Sequence, residues 1–174
     1  MIGIDFMGRY PTEPRGGNKY ILIMYDYDTN YIKGVPVTSR KAATYLEAFK
    51  TLFDELTTKG FKPELVCLDN EASKLLCNHI EAKNVDIQLV TPGNHRNNPA
   101  ERAIQTYRSY FLSARAGVDL SFSAKNWDLI LPQVNIIINL FRLSRINPLI
   151  LAYNQVHGAR NWIVQGTIYH LPPY

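Results

Sequence analysis

The hydrophobic pattern of this chain changes character at Pro63, and that change restricts the possible folds more than any other feature. Upstream, residues 1–7 alternate Ile2, Ile4 and Phe6 with Gly3, Asp5 and Met7, the two-residue period of a half-buried strand. Residues 20–25 (YILIMY) form a denser apolar run, and residues 31–37 its hairpin partner across the Asp28-Thr29-Asn30 turn. Downstream, Leu65-Val66-Cys67-Leu68 is apolar without interruption, as in a strand covered on both faces, and it ends at Asp69. A further strand is expected at 85–90. Three hairpin-joined strands followed by helix, strand, helix, strand and helix make an α/β chain. Its five-stranded sheet is then mixed: antiparallel in the hairpins and parallel where helices cross over.

The helices are placed by capping and by periodicity. A long one is expected from an N-cap at Ser39 to Lys59, with Leu46, Phe49, Phe53 and Leu56 on its buried stripe and Gly60 ending it. A short one covers 73–82. The polar stretch 91–98 (TPGNHRNN) reads as a mobile loop. It leads to a helix from Pro99 whose buried positions are Ile104, Tyr107, Phe111 and Leu112. Residues 127–143 read as a largely apolar helix bent at Pro132, and 148–157 as another short helix.

Composition excludes several classes. With 46% hydrophobic residues, the chain can bury a core and is not intrinsically disordered. The greasiest stretch is broken by Asp128, Pro132, Gln133, Asn135, Asn139 and Arg142, so no membrane span is expected. Asp5 and Arg9 sit where a signal peptide would be apolar, and none is expected. Cys67 and Cys77 lack the paired spacing of a zinc site and make no disulfide framework. No phosphate-binding glycine loop, dinucleotide fingerprint or nucleophile elbow is present. The net charge of +4 is mild, but it is unevenly spread. Between residues 94 and 118 four arginines (Arg96, Arg102, Arg108 and Arg115) face Glu101 alone, and from residue 129 onward there is no carboxylate side chain. Such a split fits a basic flank lying along phosphates, but charge alone favours a solvated surface with arginines paired to acids elsewhere.

Three acids could carry chemistry. Asp5 lies in the first strand, on the side opposite its apolar residues. Asp69 directly follows a buried strand, where parallel sheets place ligand-binding groups. Glu101 lies in the first turn of a helix after a glycine-containing loop. If the first and fourth strands are neighbours, the three converge, and divalent cations bound by hard oxygen ligands relieve their repulsion. Two such ions suit phosphodiester displacement. Each acid also has a purely structural account: Asp5 as a solvent-facing strand residue, Asp69 with Asn70 as turn chemistry, and Glu101 as the acid of an Asn98-Pro99-Ala100-Glu101 cap.

The segments Ile4-Asp5-Phe6, Val66-Cys67-Leu68-Asp69-Asn70-Glu71-Ala72-Ser73 and Asn98-Pro99-Ala100-Glu101-Arg102-Ala103-Ile104 resemble the catalytic core of retroviral-type integrases, most of all the Copia-like retrotransposon branch. The resemblance continues in Gly17-Asn18-Lys19-Tyr20, Leu131-Pro132-Gln133, Ser144-Arg145-Ile146-Asn147-Pro148 and Val156-His157-Gly158, and so covers nearly all of residues 3–160. It implies a ribonuclease H-like fold with Asp5, Asp69 and Glu101 as catalytic residues and as ligands of two Mg²⁺ or Mn²⁺ ions. It further implies 3′-end processing of element DNA, then strand transfer into target DNA, by a homo-oligomer acting in the nucleus or in a cytoplasmic particle. Arg96, Arg102, Arg108 and Arg115 would hold DNA backbone.

Residues 1–160 are expected to form the core and 161–174 a truncated C-terminal extension. Only 31 residues separate Asp69 from Glu101, a few fewer than in most retroviral relatives. The family's His/Cys module and C-terminal DNA-binding region have no counterpart in this sequence. The alternative reading is therefore a catalytically inactive nucleic-acid-binding remnant of a retroelement.

Overall fold

Alternation along the first strand sorts the side chains into two cores. In β1 (Ile2–Arg9), Ile2, Ile4 and Phe6 face one helical layer, while Met7 faces the other. In β2 (Tyr20–Asp26), Leu22 and Met24 enter the first layer, and Ile21, Ile23 and Tyr25 the second. The computed structural model describes residues 1–9, 11, 12, 14, 16–69, 72–90, 99–158, 162–164 and 167–169. With β3 (Tyr31–Val37), β4 (Leu65–Asp69) and β5 (Asp86–Val90), the strands form one sheet in the order β3-β2-β1-β4-β5. The β1–β2 and β2–β3 pairs are antiparallel, and β1–β4 and β4–β5 are parallel. This is the mixed five-stranded sheet expected from the sequence.

One face carries α1 (Ala42–Thr58) and α2 (Lys74–Glu81), and the other carries α3 (Pro99–Ala116) and α4 (Leu131–Leu140). Gly60 ends α1 as expected, at φ 90°, a conformation that favours glycine. The start of α1 differs. Ser39 spends its hydroxyl on the Lys41 N–H (3.3 Å) and on the Thr44 hydroxyl (2.9 Å), so the helix begins at Ala42 with Lys41 as its uncapped N-cap. Ser73 does cap α2, accepting from the Leu76 N–H at 3.3 Å.

Two further expectations are corrected. Residues 127–143 are not one bent helix. A 3₁₀ segment, Ala124–Ile130, precedes α4, and Pro132 lies in the first turn of α4, where its missing N–H costs no hydrogen bond. Leu112 is 45% exposed, because α3 buries Ala103, Tyr107 and Phe111 at four-residue spacing. The last helix, α5 (Ala152–His157), starts later than expected, and β6 (Trp162–Val164) pairs with β7 (Thr167–Tyr169) in a separate hairpin. Both cysteines are free. Among the described residues no helix is long and apolar enough to cross a membrane. The loop at 91–98, Arg96 within it, and the Asn98 cap lie outside the described residues.

Candidate active site

β1 and β4 run side by side with Ile2 against Val66 and Gly3 against Cys67. Carried two residues along, this register sets Asp5 level with Asp69. Ile4 and Leu68, immediately before the two acids, both enter the α1–α2 core. By alternation, the two carboxylates therefore leave the opposite face, the one that α3 covers. Both acids are partly exposed, and β4 ends at Asp69. Open α/β sheets bind ligands at this carboxyl end of their parallel strands.

The pair is held and sensed locally. The Phe6 N–H donates to Asp5 Oδ1 at 2.6 Å, which fixes one carboxylate oxygen against the backbone. Tyr45 of α1 packs its ring against Phe6, 4.8 Å between centroids. Burial pushes the Tyr45 hydroxyl up first, the negative charges of Asp5 and Asp69 push it further, and the Arg40 guanidinium acts in the opposite direction. One buried hydroxyl thus lies in the field of both carboxylates and of one cation.

Glu101 sits in the first turn of α3, which packs across β1. The positive end of the helix dipole favours a carboxylate there. Among the described residues, no group of three or more His, Cys, Asp and Glu side chains stands close enough to hold a metal ion. By register Asp5 and Asp69 lie on neighbouring strands, and Glu101 stands at the start of the helix packed across β1.

The arginines of α3 divide between two faces. Seven residues span just under two turns of about 3.6 residues each, so Glu101, Arg108 and Arg115 recur along one stripe. Arg102 stands about 120° around the helix from Arg108 at ~100° per residue. Arg102 and Arg108 are exposed and Arg115 is half-buried.

Arg40 and Tyr45 were not singled out by sequence reasoning. Tyr45 sits beside the apolar stripe of α1 and reads as core, and Arg40 lies in a turn without pattern. The only usable signal is topological: both follow β3 at the end of the sheet that carries the carboxylates.

No protein-family model matches this sequence, and no curated protein does. Solved structures match by shape. A chain of the simian T-cell lymphotropic virus intasome, determined in complex with PP2A regulatory subunit B56 gamma, superposes with a TM-score of 0.66 at 13% identity. That match covers 99% of this chain, which spans 58% of the viral one. The catalytic core domain of BIV integrase superposes with a TM-score of 0.60 at 11% identity, over 81% of this chain and 84% of that one. At such identities the likeness is one of fold, and the fold is the ribonuclease H-like architecture of retroviral integrase catalytic cores.

Proposed function

We propose that the chain is an integrase-type polynucleotidyl transferase core of the Copia-like branch, acting on DNA with Mg²⁺ or Mn²⁺. The observation that carries this reading is the β1–β4 register, Ile2 against Val66 and Gly3 against Cys67, which extended two residues would set Asp5 level with Asp69 at the end of parallel strands in an integrase-like fold. Two adjacent carboxylates repel each other in a partly dry site, and a divalent cation relieves that repulsion. Carboxylate oxygens are the hard donors these ions take, so the residues present fit the group. Asp5 and Asp69 would hold the ions, with Glu101 drawn in from the first turn of α3 as the third donor. When bound there, such ions would supply Lewis-acid polarisation of an attacking water or hydroxyl and charge stabilisation at the leaving oxygen.

The remaining work falls to the chain's own groups. The Phe6 N–H orients Asp5, and α3 presents Arg108 and Arg115 in line with Glu101, where they would hold phosphates without reading sequence. The reaction read here is 3′-end processing with water, then attack of the freed 3′-hydroxyl on target DNA, carried out by a homo-oligomer in the nucleus. A second reading is the inactive nucleic-acid-binding remnant, which keeps the fold without a group of three ligating side chains among the described residues.

Mn²⁺ titration followed by thermal unfolding separates the two. Metal bound only by the folded state raises the midpoint with concentration. Under the first reading, Asp5→Asn, Asp69→Asn and Glu101→Gln each reduce that rise. A rise unaffected by Glu101→Gln, with no nicking of DNA, supports the remnant. No rise at all in the unmodified chain removes the metal-dependent reading.

A further inference from the structure

We propose that a second basic surface, formed by Arg9, Arg40 and Lys41 on the hairpin side of the same sheet end, binds the phosphate backbone of the nucleic acid lying across Asp5 and Asp69. The inference rests on the nucleic-acid reading of that site and extends it to residues the α3 arm does not include.

Topology gathers these cations. Arg9, at the end of β1, pairs in register with Tyr20 at the start of β2, and Tyr20 pairs with Val37 at the end of β3. The Lys19 N–H donates to the Val37 carbonyl at 2.9 Å. Arg40 and Lys41 follow directly, before α1 begins. Residues distant in sequence thus meet on one flank of the carboxylate pair. Arg9, Arg40 and Lys41 are exposed, and among the described residues none of the three forms an ion pair. Glu47, on the first turns of α1, is engaged by Lys50 at 2.8 Å.

Arg40 is also held in place. Its guanidinium lies 5.0 Å from the centroid of the Phe6 ring and 5.2 Å from that of Tyr20, and the two rings meet edge to face at 6.2 Å. A planar cation stacked in this way loses less freedom on binding a phosphate than a loose one does, and its fork of donors matches phosphate geometry. Phe6 follows Asp5 on β1 but turns to the α1 face, so the platform under Arg40 borders the carboxylates from the other side of the sheet end. Tyr45, packed on Phe6, lies in the field of Arg40 as well as of both carboxylates. A polyanion approaching two carboxylates is repelled unless cations flank them. α3 supplies one flank, and this surface supplies the other.

The test uses the full chain as Asp69→Asn, with chelator present, so that no cleavage occurs. A fluorescein-labelled DNA duplex is titrated by anisotropy over a series of salt concentrations. Loss of one phosphate contact lowers the log–log salt slope by about 0.9, or roughly eightfold in affinity near 0.1 M salt. Arg40→Ala is expected to show that loss with an unchanged melting midpoint, and Arg40→Lys to retain the slope. An Arg40→Ala slope equal to that of the parent, with Arg108→Ala reduced, overturns this surface and leaves the nucleic-acid reading standing. Parent-like slopes in both variants overturn both.

Discussion

Asn139, fully buried on α4, answers both backbone groups of Ile32: the Ile32 N–H donates to its Oδ1 at 2.9 Å, and its Nδ2 donates to the Ile32 carbonyl at 2.6 Å. One turn earlier, Asn135 does the same for Gly34, at 2.9 and 3.0 Å. Four helical residues rise about 6 Å and two strand residues about 6.8 Å, so two side-chain amides can track alternate residues of a strand. α4 thereby satisfies the outer edge of β3, which would otherwise offer unpaired groups to another chain.

Replacing Asn139 with Leu keeps the branched shape, with bulkier ends, and removes both bonds. Two buried backbone groups left without partners cost roughly 2–4 kcal/mol together. For a chain of this size that lowers the melting midpoint by about 5–15 °C. Asn135→Leu is expected to cost less, since Asn135 is only partly buried. A midpoint within a degree of the parent for Asn139→Leu would show that the edge does not depend on this amide.

Gly34 is required by close approach. A Cβ built there would lie 2.5 Å from Tyr107 Cζ and 2.6 Å from its hydroxyl oxygen, and that ring is fully buried with its O–H donated to Asn135 Oδ1 at 2.8 Å. Gly34→Ala should therefore destabilise by about 1–3 kcal/mol through overpacking. Combined with Tyr107→Leu, the two losses are expected to be less than additive, because the second change takes away the ring that the new methyl would strike. Strict additivity in denaturant unfolding would refute the contact.

The carboxylate pair is legible in the sequence because each acid sits at a phase-defined point of a strand: Asp5 opposite Ile4 and Phe6, and Asp69 one residue past a buried run. The register that joins them needs only two neighbouring parallel strands. Glu101 is legible as a first-turn acid, but its distance from the pair depends on how α3 packs over β1, which periodicity does not encode. Leu112 misled for a related reason: the helical period admits several stripes, and packing selects the one through Ala103, Tyr107 and Phe111. The amide ladder of Asn135 and Asn139 looks in sequence like two polar interruptions of an apolar helix. Their spacing of four was the available signal, and its partner strand lies more than a hundred residues away.

Asp69→Asn removes a charge from the pair while keeping shape and size. Under the proposed function, Mg²⁺- or Mn²⁺-dependent nicking of element-end DNA falls by orders of magnitude, with circular dichroism and the melting midpoint of the metal-free chain preserved. Equal activity in parent and variant would dismiss Asp69 from the chemistry.

Asp26 provides a pH test that is independent of the site. Burial, at 4% exposure, holds its carboxyl above the usual range, against the opposing effect of hydrogen bonds from the Thr29 N–H at 3.1 Å and the Thr29 hydroxyl at 2.6 Å. A raised acid favours the folded state while protonated in it. Its contribution is thus full below the unfolded value and is lost as pH rises through the raised folded value. Asp26→Asn keeps an oxygen acceptor and removes the titration. Across about pH 3 to 7, the variant should gain stability relative to the parent as pH increases. A difference that does not change with pH, measured by denaturant midpoints, contradicts the burial effect.

The division of arginines on α3 yields the sharpest distinction for DNA binding. Arg108 and Arg115 share the stripe that begins at Glu101, whereas Arg102 projects about 120° away from Arg108 despite being adjacent to Glu101 in sequence. If nucleic acid follows the stripe, Arg108→Ala and Arg115→Ala each lower the salt slope by about 0.9, uniformly across DNA sequences. Arg102→Ala should leave it nearly unchanged. Anisotropy titrations on two unrelated duplexes decide the matter. A slope reduced by Arg102→Ala and untouched by Arg108→Ala would place the DNA on the other face of the helix, away from the line that Glu101 opens.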